Sequence, residues 1–198
     1  MSESAMPEHT AAPAHPAPTS PWVIDTRDLG RRAGNSRRQE RTAPAPSGFG
    51  FPGVIEVPEG ADVELNLLLE SVVEGVLVSG TVTAPTVGEC SRCLDELSGR
   101  LTVDITELFA YPDSATEAST DEDEVSRVVD DLIDLEPVVR DAVVLALPRI
   151  PLCSADCQGL CPECGGKLAD LGPDHGHERI DPRWAALRER FGDTEEEN

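Results

Sequence analysis

Cysteine pairs and one histidine pair constrain this chain more than any other feature: Cys90-Ser91-Arg92-Cys93, Cys153 with Cys157, Cys161-Pro162-Glu163-Cys164 and His175-Gly176-His177. A Cys-x-x-Cys turn aims two thiolates at one ion while N–H groups of the turn hydrogen-bond the sulfurs, and thiolate and imidazole ligands together suit tetrahedral zinc. Gly165 and Gly166 give the later knuckle room to close. The cysteines would pair as disulfides in an oxidising compartment. The first twenty residues, however, carry no cationic start followed by an apolar run, so the expectation is a cytoplasmic protein with reduced thiols.

Spacing leaves the ligand pairing open. One ion held by Cys90, Cys93, Cys153 and Cys157 would clip a hairpin to the exit of a helix, with Cys161, Cys164, His175 and His177 closing a second local site. Alternatively, the two Cys-x-x-Cys knuckles share one ion. The plainer reading leaves Cys90 and Cys93 buried and metal-free. The expected cofactor is therefore zinc, as one or two structural ions. His9 and His15 fall in a Pro/Ala/Ser-rich segment and are not counted as ligands.

Around this cluster the chain reads as an α+β protein: an antiparallel β-sheet, one main helix and a zinc-supported C-terminal lobe. Val63, Leu65, Leu67 and Leu69 alternate with more polar residues, and Val76, Val78 and Val82 follow across a turn near Glu74 and Gly75, which predicts an antiparallel hairpin. Leu101, Val103 and Ile105 repeat the period of two and should pair with it. Leu135, Val138, Val139, Ala142, Val143 and Ala146 line one face of a helix, with Pro137 in its first turn and Pro148 ending it. A short helix is expected from Asp181-Pro182 through Trp184, Leu187 and Arg188.

The expected organisation is a disordered tail over 1–21, a core over 22–147, a Cys/His lobe over 148–191 and an acidic tail over 192–198. The core would include a basic N-terminal arm and a solvated acidic loop over 112–124. No stretch approaches the roughly 18 apolar residues of a membrane-spanning helix.

With 38 acidic against 16 basic residues the formal charge is −22, which repels polyanions at long range and favours basic partners, or simply keeps the chain soluble. Aromatics make up only 4% of the residues, so no stacking platform for single-stranded bases is expected. The clearly basic stretch is the exception: Arg27, Arg31, Arg32, Arg37, Arg38 and Arg41 could neutralise phosphates of folded RNA, or form an ordinary charged linker.

Catalytic signatures are missing from the sequence. No phosphate-binding loop, nucleophile elbow or dinucleotide fingerprint is found, and Gly48-Phe49-Gly50 lacks the strand before it and the helix after it that such a fingerprint needs. A catalytic zinc needs an open position and usually a neighbouring base. In the deaminase arrangement a His-x-Glu precedes Pro-Cys-x-x-Cys, whereas here the order is reversed and Glu178 directly follows His177. The expectation is a protein without enzymatic activity or a small-molecule substrate. A redox or zinc-dependent enzyme would require a low-pKa thiolate or an open metal position.

Gly88-Glu89-Cys90-Ser91-Arg92-Cys93-Leu94, preceded by Glu74-Gly75-Val76-Leu77-Val78-Ser79-Gly80, and later Leu152-Cys153, Gly159-Leu160-Cys161-Pro162 and Cys164-Gly165 together resemble the YceD family. The resemblance runs over roughly residues 22 to 191, taking in Asp28-Leu29, Ile133-Asp134-Leu135 and Asp181-Pro182-Arg183. It implies a metal-binding ribosome-assembly factor that promotes accumulation and maturation of large-subunit ribosomal RNA. The implied partners are that RNA or its precursor particle, with a basic ribosomal protein meeting the acidic surface. The chain departs from the resemblance at His175 and His177, which stand where many cysteine-rich members carry Cys-x-Cys. Zinc accepts either ligand type. The competing expectation is a zinc-scaffolded acidic adaptor that binds proteins and makes no contact with RNA.

Overall fold

A computed structural model describes residues 16–112, 114–119 and 125–177. The expected acidic tail, the helix expected at 181–188, residues 1–15 and the acidic run 120–124 lie outside the described residues. By their contacts, the described residues of 16–91 and 95–153 form one compact unit and those of 92–94 and 154–177 a second.

The first unit is mostly antiparallel sheet. Its strands are β1 (Val23–Asp25), β2 (Ser36–Pro44), β3 (Gly50–Phe51), β4 (Ile55–Glu56), β5 (Asp62–Ser71), β6 (Gly75–Glu89), β7 (Glu96–Ala110) and β8 (Leu132–Asp134). Its helices are α1 (Ala115–Ser119) and α2 (Glu136–Ala146). A six-stranded sheet is built around β6. The order β2-β5-β6-β4-β3 runs off one edge, and β7 pairs along the other from Gly75↔Ala110 to Glu89↔Glu96. The hairpin and third strand expected from period-two alternation are β5, β6 and β7.

The pleat decides which side chains meet. Val63, Leu65, Leu67 and Leu69 of β5, Val76, Val78, Val82 and Ala84 of β6, and Val103, Ile105 and Phe109 of β7 are buried on one face. Gly80 interrupts the β6 series because the backbone of β5 passes too close. A Cβ there would sit 2.1 Å from the Asn66 carbonyl oxygen, so a larger residue would push the central strands apart.

Helix α2 contributes Val139 and Val143 to this core, flanked by Leu135 and Leu147. Pro137 occupies its first turn. The Glu136 N–H donates to the Asp134 carboxylate at 3.0 Å, supplying an acceptor that Leu135 at the N-cap lacks. Leu147 is extended, as a residue before proline must be, and the helix stops there.

Several segments are more ordered than the sequence suggests. Residues 115–119 of the expected acidic loop form α1, whose first turn is held by the Glu117 N–H donating to Ser114 Oγ at 3.2 Å and the Thr116 N–H donating to Glu74 at 3.1 Å. Trp22-Val23-Ile24 opens a two-stranded sheet in which β1 pairs with β8. Trp22 packs on Phe49 and donates from Nε1 to the Pro44 carbonyl at 3.0 Å. Within the segment expected as tail, Ser20 closes a turn on the Ala17 carbonyl and caps the Trp22 N–H.

The basic stretch is also largely regular structure. Arg37, Arg38 and Arg41 lie on β2, at the edge of the large sheet and paired antiparallel with β5.

Candidate metal centre

Both Cys-x-x-Cys turns are followed by a residue in the left-handed region. It is Leu94 after the first turn (φ 60°) and Gly165 after the second (φ 71°). This backbone reversal lets the two sulfurs of a knuckle face the same point. Glycine reaches it freely, while leucine accepts a cost of about 1–2 kcal/mol.

In the first turn the Cys90 N–H donates to the Asp95 carbonyl at 2.8 Å and the Arg92 guanidinium donates to the Cys157 carbonyl at 2.7 Å. In the second, the Cys161 N–H donates to the Gly166 carbonyl at 2.7 Å and the Gly165 N–H to the Cys161 carbonyl at 2.9 Å. A bridge between Leu160 and Lys167 closes this small loop, with the Leu168 N–H donating to Gly159 at 2.9 Å.

The ligand-type side chains gather into two groups: Cys90, Cys93, Cys153 and Cys157, and Cys161, Cys164, His175 and His177. Within each group the ligand atoms lie within 4.8 Å of one another. None of the six cysteines is in a disulfide. Ligands about 2.0–2.3 Å from a tetrahedral zinc stand roughly 3.3–3.8 Å apart. In the second group Cys164 Sγ lies 3.6 Å from His175 Nε2, and the two histidine Nε2 atoms are 3.0 Å apart, their rings edge to face. Each group could therefore close around a metal with little movement. A four-sulfur set and a two-sulfur, two-imidazole set are both of the type zinc takes in closed structural sites.

The surroundings favour the metal-binding form of at least one thiol. Cys161 is lowered from 9.0 to about 6, first by the Cys164 backbone N–H, then by that of Glu163, with the His175 ring adding to the effect. Burial acts in the opposite direction. N–H groups pointed at a sulfur stabilise thiolate, the species that ligates.

The arginines divide into two kinds. Arg41 donates to the Pro21 and Val23 carbonyls at 2.8 and 2.6 Å, and Arg37 to the Asp25 carbonyl at 2.9 Å, so both satisfy carbonyls along the β1 segment. Arg27 pairs with Asp25. Arg31 reaches Asp131 at 3.1 Å and lies 4.9 Å over the Tyr111 ring. Arg32 and Arg38 are exposed, and their guanidinium groups make no hydrogen bond or ion pair with the described residues. The Arg31 contacts could not be read from sequence, since Asp131 and Tyr111 are remote in the chain. The left-handed Leu94 was also hidden, because leucine is not the residue that signals such a turn.

The chain is a largely antiparallel sheet protein with a four-cysteine and a two-cysteine, two-histidine cluster, each of which could hold a metal ion. The family model described as "Large ribosomal RNA subunit accumulation protein YceD" matches residues 78–189, and the chain belongs to this family. It is 55% identical over 173 residues to the uncharacterized protein Rv2926c of Mycobacterium tuberculosis, covering 87% of this chain and 83% of that one. It is 50% identical over 168 residues to the uncharacterized protein ML1660 of Mycobacterium leprae, covering 85% and 76%. A more distant similarity, 27% over 120 residues, joins it to the uncharacterized protein YlbN of Bacillus subtilis, covering 60% and 66%. No solved structure matches. Among the described residues no helix is long and apolar enough to cross a membrane.

Proposed function

We propose that this protein is a cytoplasmic, non-enzymatic assembly factor that binds the precursor of the large ribosomal subunit and promotes accumulation of its RNA. Membership of a family named for large ribosomal RNA subunit accumulation is the observation that carries this reading. The two ligand groups support a scaffolding role for metal: each offers four protein donors, which leaves a tetrahedral zinc no open position for substrate. Zinc at Cys161, Cys164, His175 and His177 would hold a C-terminal lobe together, and zinc at Cys90, Cys93, Cys153 and Cys157 would fix the other cysteine turn.

Arg32 and Arg38 are the basic side chains best placed to meet RNA phosphates, because their guanidinium groups are not engaged elsewhere among the described residues. Depletion of the protein should lower large-subunit RNA relative to small-subunit RNA, and the purified protein should co-sediment with precursor particles. Unchanged RNA ratios together with no co-sedimentation would refute the proposal.

A second reading is supported by the engagement of Arg27, Arg31, Arg37 and Arg41 within the protein itself. In that reading the molecule is an acidic adaptor that binds a basic protein and no RNA. RNA binding that weakens steeply with rising salt favours the first reading, and no binding even at low salt favours the second.

A further inference from the structure

Within the first unit, the face of the six-stranded sheet opposite the core carries no covering element among the described residues. Leu68 of β5, Leu77 of β6 and Leu108 of β7 are only half-buried there, and Val87 of β6 is 42% exposed. Between them run Ser79, Thr81, Thr83, Thr102 and Thr106. Thr83 and Thr102 share a cross-strand hydroxyl contact of 3.1 Å.

Carboxylates surround this apolar and hydroxyl surface. Glu40 and Asp104 stand at the two ends of the row Glu40↔Asn66, Asn66↔Thr81 and Thr81↔Asp104. Glu56 lies beside Val87, and Glu89 is directly opposite Glu96. Of the acids on this face, Glu64 has an ion-pair partner, Arg100 at 2.7 Å. Like charges placed directly opposite on neighbouring strands destabilise a sheet, so the Glu89–Glu96 pair is unfavourable for the isolated fold. Val54, Ile55, Val87 and Leu97 line a cavity of about 550 Å³ beside Glu56, Glu89 and Glu96.

We propose that this face is the docking surface for a basic protein, a lysine- and arginine-rich component of the large subunit. The source of that partner rests on the assembly-factor reading, while the surface itself does not. The sign of the charge excludes the other occupants. Arg38, opposite Leu68 on the edge strand β2, is a basic residue of this face, so any RNA contact is confined to that edge. Along β6 and β7 the carboxylates of Glu89, Glu96 and Asp104 would repel RNA phosphates, and a second copy of the chain would set the same acids against each other. The size also fits. β6, with its neighbours on each side, presents a strip roughly 50 Å long and 14 Å wide from standard strand spacings, or about 700 Å², close to the roughly 800 Å² each partner contributes to a standard interface. Exposed apolar residues supply burial, and lysine and arginine side chains neutralise Glu89 and Glu96.

The test uses the full zinc-loaded chain and a panel of individually purified, RNA-free, fluorescently labelled large-subunit ribosomal proteins, with binding read by anisotropy. The double variant Glu89→Gln/Glu96→Gln is compared with Glu59→Gln/Asp141→Asn, which removes the same charge away from this face, and with Val87→Ser. These side chains are solvent-exposed, and matching circular dichroism and melting would show the fold intact. At least one panel member should bind. The face double variant should weaken it about fivefold or more, Val87→Ser should also weaken it, and the control should change it less than twofold. No binding by any panel member, or equal weakening by both double variants, would overturn the proposal. Loss of particle co-sedimentation with panel binding and its variant pattern intact would instead remove the assembly-factor reading and leave this surface standing.

Discussion

Gly165 isolates the backbone contribution to the second ligand group. Its φ is 71°, and a Cβ built there would meet nothing within 4 Å, so Gly165→Ala introduces torsional strain without a clash. Placing alanine in the left-handed region costs about 1–2 kcal/mol. Reduced freedom of the unfolded chain returns about 0.4–1 kcal/mol. The net is a loss of about 1 kcal/mol, roughly fivefold in affinity if zinc binding orders the turn. Gly176 is the matched control: it also has open space around its Cβ position but no left-handed φ, so Gly176→Ala should change little. Chelator competition on the purified protein measures both affinities, and Gly165→Asn should fall between alanine and wild type because asparagine tolerates this region. Equal affinities for Gly165→Ala and Gly176→Ala would refute the claim that the left-handed turn positions Cys161 and Cys164.

Other substitutions separate the roles of the remaining residues. Arg41→Ala should cost about 0.5–1.5 kcal/mol in denaturant unfolding because it removes the hydrogen bonds to the exposed Pro21 and part-buried Val23 carbonyls, whereas Arg38→Ala should stay within about 0.5 kcal/mol. Leu135→Ala removes a fully buried side chain between α2 and the sheet and should cost about 2–5 kcal/mol in the same assay. For Cys161 the folded value of about 6 lies below the ordinary 9.0, so its thiolate contributes stability that is complete above about 9 and is lost as pH falls through about 6. Ultraviolet thiolate absorbance of metal-free protein should show one thiol titrating near 6 that disappears in Cys161→Ser.

The elements that the sequence made legible are the long ones whose apolar residues recur with a regular period. β5, β6 and β7 announce themselves through Leu65, Val78 and Val103 and their period-two neighbours, and α2 through Val139 and Val143. β1 and β8 were illegible because three-residue strands carry almost no periodicity and their pairing joins Ile24 to Ile133, far apart in the chain. β2 was masked by its composition. Arg37, Gln39 and Arg41 occupy the positions where an inward-facing strand usually shows apolar residues, because here the inward face supplies hydrogen bonds to the β1 segment rather than hydrophobic burial. The ligand residues were visible from their spacing, but spacing left two groupings open. The folded chain collects Cys90 and Cys93 with Cys153 and Cys157, and Cys161 and Cys164 with the histidines.

Elemental analysis of zinc per chain, on protein purified under reducing conditions beside its Cys93→Ser and Cys164→Ser variants, tests the central claim most directly. The two ligand groups predict about two zinc ions per chain, falling to about one in each variant. A value near zero in the unaltered protein would contradict the structural-zinc account, and a single ion lost in both variants would contradict the separation into two sites.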